Sequence, residues 1–309
     1  MKQTQKNNCP KFGIIFLKGT KNFIVLLITI LLLGACSKDN NSVAPEIEQE
    51  PVEETPKEPL EAESFLDVSY GDTSDQVFDI YLPKDRSLDT KLLVLVHGGG
   101  WSSGDKADMN GFKDFVIQEL PELAVVNINY RLADENNLPY PMQTDDISSV
   151  VNFLKANKEE YHIGDDLGFV GISAGAHLSL LWAYALDTEQ KVNMVCSIVG
   201  PTNLLDPAYQ NTDDETVKEL IAQFGLNNEI LEEASPLQKL SGGAPPTILF
   251  YGGQDPLIPV SQGVDLDSKL SELGIEHEFT LYETEGHGWV GLNLFDTSLK
   301  LKAFIEKHL

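Results

Sequence analysis

Four short stretches of this 309-residue chain carry residue types and spacings suited to chemistry. They are His97-Gly98-Gly99-Gly100-Trp101, Gly171-Ile172-Ser173-Ala174-Gly175, Asp255 in "YGGQDPLIP", and His287 in "TEGHGW". A serine hydroxyl is a weak nucleophile near neutral pH and needs a base, itself oriented by a carboxylate. The chain supplies serine, acid and histidine in that order, and the G-x-S-x-G pattern joins a strand-like run, "LGFVGI", to an apolar helical run, "AHLSLLWAYAL". That is the context of a nucleophile elbow, in which a tight, strained turn lifts the serine side chain into the open.

Acyl transfer places negative charge on a carbonyl oxygen, and fixed backbone N–H groups stabilise it, each worth about 3 to 4 kcal/mol of barrier. Three successive glycines after "KLLVLV" let backbone turn sharply and approach another group closely. The candidate oxyanion donors are therefore the amides of Gly99, Gly100 and Ala174, with Ser173, Asp255 and His287 as the catalytic triad. Glu283 and Glu285 lie nearer His287 in sequence, but Asp255 follows a buried strand directly, which decides for it. Trp101 and Trp289 flank the expected site and could stack on a sugar or an aromatic acyl group, or equally pack into the core.

The elements that must position these groups alternate in type. "QVFDIYL" (76–82) alternates as a half-buried strand. "LLVLV", "AVVNINY" (124–130), "LGFVGI" (167–172), "VCSIVG" (195–200) and "TILFYGG" (247–253) are apolar runs suited to buried parallel strands, and "HEFTLYE" (277–283) is strand-like. Helical patterns lie between them, as at 145–161, with Ile147, Val150, Val151 and Leu154 on one face, and at 261–274, which closes on Gly274. Strand and helix in alternation predict a mostly parallel sheet covered on both faces, with the chemistry in loops at the carboxyl ends of strands. The polar, acidic segment from Thr202 to about Ser235, with one amphipathic helix near 217–224, is a candidate cap over the site or a plain surface excursion. A cap of this size favours short acyl chains.

With these motifs in register from about Asp67 to Leu309, the chain resembles an α/β-hydrolase of the carboxylesterase branch. That branch includes hormone-sensitive-lipase-like esterases and bacterial acetyl- or feruloyl-xylan esterase-like proteins. The resemblance implies an eight-stranded, mostly parallel sheet with helices on both faces, a Ser-Asp-His triad, no metal and no organic cofactor. Ala176 departs from related sequences, which often carry glycine there, and this bears on helix packing beside the elbow. A serine hydrolase acting on short acyl or aryl esters is the expected function, with acetyl or feruloyl groups on polysaccharides as candidate targets. An arylformamidase-like or exopeptidase-like amidase is the alternative. A non-catalytic surface binding protein is the third reading, although the chain keeps all three triad members.

The first 63 residues read differently from the rest. Residues 1–35 hold five lysines and no acid, and they include the eleven-residue apolar run from Phe23 to Leu33. Such a run rises about 16 Å as a helix, too short for a hydrocarbon core of about 30 Å, so a signal peptide is expected. "LGAC" ending at Cys36 resembles the bacterial lipoprotein box, which implies lipid on Cys36 and an anchored protein. "SKDN" after Cys36 resembles the polar export signals of Bacteroidetes-type surface lipoproteins. Residues 36–63, rich in glutamate and proline, should form a self-repelling tether, and 64–309 the hydrolase domain. The expected location is the outer membrane or periplasm, with membrane contact only through the N-terminal lipid.

Charge and cysteine content agree with that picture. Loss of the five leader lysines would take the formal net charge from −26 to −31. Phosphate contacts need Lys and Arg, so nucleic acid and anionic surfaces are poor partners and a neutral small-molecule or glycan ester fits better. Of the three cysteines, Cys9 falls in the leader and Cys36 in the lipid site, leaving Cys196 alone in the domain as a core residue.

Overall fold

The computed structural model describes residues 59–225 and 227–309. Eight strands form one sheet: β1 (Glu63–Ser69), β2 (Val77–Leu82), β3 (Leu92–Val96), β4 (Ala124–Ile128), β5 (Leu167–Ile172), β6 (Val192–Ile198), β7 (Thr247–Gly252) and β8 (His277–Tyr282). Their spatial order is β1-β2-β4-β3-β5-β6-β7-β8. The β1–β2 and β2–β4 pairs are antiparallel and every later pair is parallel. This is the expected α/β architecture. The central strands β3, β4 and β7 are buried along their whole length, because helices cover both faces of a parallel sheet.

Among the described residues ten α-helices follow in chain order: α1 (Asn110–Glu119), α2 (Pro139–Ala156), α3 (Lys158–Tyr161), α4 (Ala174–Ala185), α5 (Pro207–Gln210), α6 (Glu215–Ala222), α7 (Asn228–Glu233), α8 (Pro236–Lys239), α9 (Ser261–Leu273) and α10 (Leu292–His308). One apolar layer joins the sheet to α2, α4 and α9 through residues such as Ile147, Leu178 and Leu266. The other joins it to α1 and α10 through Val116, Leu301 and Phe304. Helix α4 is buried at all but its last residue, which makes it the rigid axis behind the elbow. Helix α9 ends on Gly274 in the left-handed conformation, as its sequence predicts.

Two expectations change at the start of the domain. Strand β1 is an exposed edge strand with no apolar run to announce it. The domain also begins before residue 64: the Leu60 carbonyl accepts from the Asp85 amide at 2.7 Å, and Glu63 in β1 pairs with Arg86. Residues 60–63 therefore belong to the domain, because their backbone is hydrogen-bonded into it. The expected leader, Cys36 and the rest of the tether up to residue 58 lie outside the described residues.

Candidate active site

Ser173 sits between β5 and α4 with φ +53° and ψ −119°, a conformation rarely populated by a non-glycine residue. The surrounding structure over-determines it. Its amide donates to the Ile198 carbonyl at 2.8 Å, and a Cβ on Gly175 would stand 2.2 Å from the Val96 carbonyl oxygen and 2.3 Å from that of His97. The ends of strands β3 and β6 thus hold the turn, and only glycine fits at position 175.

His287 and Asp255 converge on this serine from loops after β8 and β7. His287 Nε2 lies 3.0 Å from Ser173 Oγ, and His287 Nδ1 lies 2.7 Å from Asp255 Oδ2. With Nδ1–H donating to the carboxylate, Nε2 is left as the acceptor for the serine hydroxyl. The Asp255 side chain is 1 % exposed. Its second oxygen accepts from the amides of Leu257 and Ile258 at 2.8 and 3.0 Å. These bonds fix the orientation of the carboxylate toward His287. The rivals are placed elsewhere: Glu283 is exposed, and Glu285 accepts from Asn293.

The glycine loop lines the same cavity as His287. Its carbonyls are engaged by hydrogen bonds within the loop and from Tyr130. The Gly98 carbonyl accepts from His97 Nδ1 at 2.6 Å and from the Tyr130 hydroxyl at 3.4 Å. The Gly99 carbonyl accepts from the Ser103 amide at 3.0 Å and the Ser103 hydroxyl at 2.7 Å. A peptide is planar and trans, so fixing these carbonyls turns the next N–H groups, those of Gly99 and Gly100, the opposite way. Gly99 has φ +113°, and a Cβ there would stand 2.0 Å from the Ser103 carbonyl oxygen. Gly99 thus answers to the loop's own close folding, while a Cβ on Gly98 or Gly100 would meet the elbow or Leu220. Ala174, as the first residue of α4, adds an amide with no intrahelical partner.

Tyr130 and Ser103 are supports that motif reading did not single out, and His97, the first residue of the glycine motif, acts with them. His97 is 1 % exposed and stacks on Tyr130 at 4.3 Å. Burial pushes its imidazole below the ordinary histidine range, which keeps it neutral. The position of Tyr130 at the end of β4 was the available signal.

A cavity of about 510 Å³ opens over the serine. Gly98 to Ser103, Met109, Ile172, Leu257 and Ile258 line it, and Thr216 and Leu220 of α6 close one side. The segment after β6 is therefore a cap over the site. Among the described residues, Asp108 and His287 are the titratable side chains on its wall.

Neither tryptophan offers a stacking face. Trp101 is 2 % exposed, with its ring edge-on to Phe224 at 4.8 Å and to His177 at 5.3 Å. Its positive φ of 64° turns the side chain down into the core while its backbone stays at the cavity. Trp289 packs on Tyr282 at 4.8 Å and donates to Thr297 at 2.8 Å, outside the cavity wall. Both are corrected to packing residues. Cys196 is buried in β6, and burial pushes its thiol pKa up, as expected for an inert core cysteine.

Residues 78–270 match the BD-FAE family. The chain belongs to that family. A BD-FAE domain with this strand order is an α/β-hydrolase, and its relatives agree. Esterase LipC of Mycobacterium tuberculosis is 27 % identical over 214 residues, 63 % of this chain and 52 % of that protein. A kynurenine formamidase of Danio rerio is 30 % identical over 252 residues, 80 % of this chain and 82 % of that protein. Among solved structures, a truncated carbohydrate esterase from gut microbiota superposes with a TM-score of 0.65 at 20 % identity, covering 78 % of this chain and 96 % of that one. The chain spans about half the length of LipC and of the plant methylesterase relatives.

Proposed function

We propose that this BD-FAE protein is a serine carboxylic-ester hydrolase that acts on short acyl or aryl esters through an acyl-enzyme. One observation carries the reading: Ser173 Oγ, His287 and Asp255 are linked at 3.0 and 2.7 Å, in a cavity that the glycine loop also lines. Ser173 attacks the ester carbonyl as its proton passes to His287 Nε2. The resulting oxyanion receives hydrogen bonds from Gly99, Gly100 and Ala174. Collapse expels the alcohol, which takes the proton from the imidazolium that Asp255 stabilises. Water then repeats the cycle on the acyl-enzyme and frees the acid.

The cavity favours uncharged esters. Among the described residues its wall is apolar apart from Thr216, the serines, Asp108 and His287, and none of those lining it is a lysine or arginine that would bind an anionic acyl group. A glycan ester draws support from the resemblance to acetyl- and feruloyl-xylan esterases and from the printed name of the gut carbohydrate esterase. It no longer draws support from the tryptophans. The test is release of acetate or ferulate from acetylated or feruloylated xylan by the full chain. Cleavage of simple aryl acetates without either product would remove the glycan reading.

A second reading rests on the formamidase relative, which matches across 82 % of its own length. The same machinery opens an activated amide, with the amine as leaving group. Parallel rates on an N-formyl anilide and the matching aryl ester decide between them. Lipid on Cys36 and export as an anchored protein complete the proposal; detergent-phase partition that survives Cys36→Ala would contradict the anchor.

A further inference from the structure

His177, one helical turn beyond Ser173, plays no part in the chemistry above, yet it is fully buried and both ring nitrogens are bonded. Nδ1 accepts from the Trp101 indole N–H at 3.1 Å, and Nε2–H donates to the Ala234 carbonyl at 2.7 Å. Trp101 belongs to the glycine loop, and Ala234 ends α7 in the cap. Phe224, just after α6 and fully buried, packs edge-on to both rings, at 4.8 Å from Trp101 and 5.6 Å from His177. Three elements thus interlock through three rings: the nucleophile helix, the oxyanion loop and the cap.

We infer that His177 is a positioning residue for the oxyanion loop, and that through it the loop's geometry depends on the cap being seated. The inference rests on the esterase reading. Trp101 has φ +64°, a strained conformation for a bulky residue, and persists only because its neighbours hold it. Its carbonyl is held by the Ala133 amide at 2.9 Å and by Gln143 Nε2 at 2.6 Å. Its indole is held by His177. Gly100, whose amide is a proposed oxyanion donor, is the adjacent residue, so slack at Trp101 rotates the Gly100–Trp101 peptide and tilts the loop. A neutral imidazole with its proton on Nε2 satisfies both partners at once. Glutamine offers the same pair of functions, a carbonyl acceptor and an N–H donor, and leucine offers neither.

The test compares full-length wild type, His177→Leu, His177→Gln, Trp101→Phe and the His177→Leu/Trp101→Phe double variant on p-nitrophenyl acetate, with folding checked by circular dichroism. Misplaced oxyanion donors act on the transition state, so His177→Leu should lower kcat by about tenfold to hundredfold with KM within about twofold. His177→Gln should recover most of that loss, and the double variant should be no slower than the worse single variant, because both remove one interaction. A folded His177→Leu with wild-type kcat, or single effects that multiply in the double variant, would overturn the inference. If Ser173→Ala hydrolyses the ester as fast as wild type, the esterase reading itself fails. The tie is then judged from the Trp101 indole N–H resonance by NMR. A slowly exchanging resonance in wild type and His177→Gln that is lost in His177→Leu supports it, and one unchanged in His177→Leu overturns it.

Discussion

The platform at the strand ends and the cap above it are built by different means. On the platform, each functional group is held by strand ends, loop amides or buried polar side chains: the elbow by β3 and β6, Asp255 by two amides, the glycine carbonyls by Ser103, His97 and Tyr130. The cap consists of α5 to α8, four helices of four to eight residues, capped mainly by Asp206, Asp214 and Asn227 and touching the cavity through Thr216 and Leu220. Short helices of this kind draw their stability from tertiary packing rather than from propensity. On the proposed reading, the contrast assigns the chemistry to the sheet and its loops and acyl selection to a lightly built addition.

Perturbing the two regions should therefore give effects of different size and kind. Asp255→Asn leaves the shape of the platform but favours the wrong imidazole tautomer, and kcat on p-nitrophenyl acetate should fall by about 10⁴-fold. A loss under tenfold would assign the acid elsewhere. Gly99→Ala drives a methyl into the Ser103 carbonyl, and displacing one oxyanion donor should cost about 10²- to 10³-fold in kcat, with circular dichroism confirming the fold. Unchanged kcat would release Gly99 from the oxyanion hole.

The seam between the regions should show in the pH dependence of stability. Burial pushes His177 down to about 4 from the ordinary value near 6.5. Between these values the unfolded chain binds a proton that the folded chain refuses, so this contribution is complete above pH 6.5 and is lost as pH falls toward 4. The urea midpoint should reflect a loss of about 3 kcal/mol from this residue between pH 7 and pH 4, and His177→Gln should flatten that slope. Identical slopes would contradict it. The smallest effect belongs to the cap: Leu220→Ala should raise the octanoate-to-acetate rate ratio by about threefold to tenfold, leaving acetate turnover near wild type. A change in acetate turnover with no change in ratio would move Leu220 from selection to chemistry.

Much of the platform was legible in the sequence because its signals are local. Seven of the strands are apolar or alternating runs, and the elbow's two glycines, its serine and the adjoining strand and helix are contiguous. Strand β1 escaped because an exposed edge strand pairs by backbone without an apolar pattern. The tryptophans were ambiguous because the direction of a side chain beside a loop depends on one φ angle and on partners distant in sequence. His177 is the same case, with bonding partners 76 and 57 residues away. Cap helix α6 was visible, but its contact with the cavity depends on tertiary docking that no periodicity reports.

The central claim is that Ser173 forms an acyl-enzyme on this platform. Hydrolysis of p-nitrophenyl acetate by the full chain, wild type beside Ser173→Ala, tests it most directly. The account predicts turnover in the wild type and a loss of about 10⁶-fold in the variant, down to the residual rate expected of binding and the oxyanion hole. Equal rates in the two proteins, or no ester turnover in either, would contradict it.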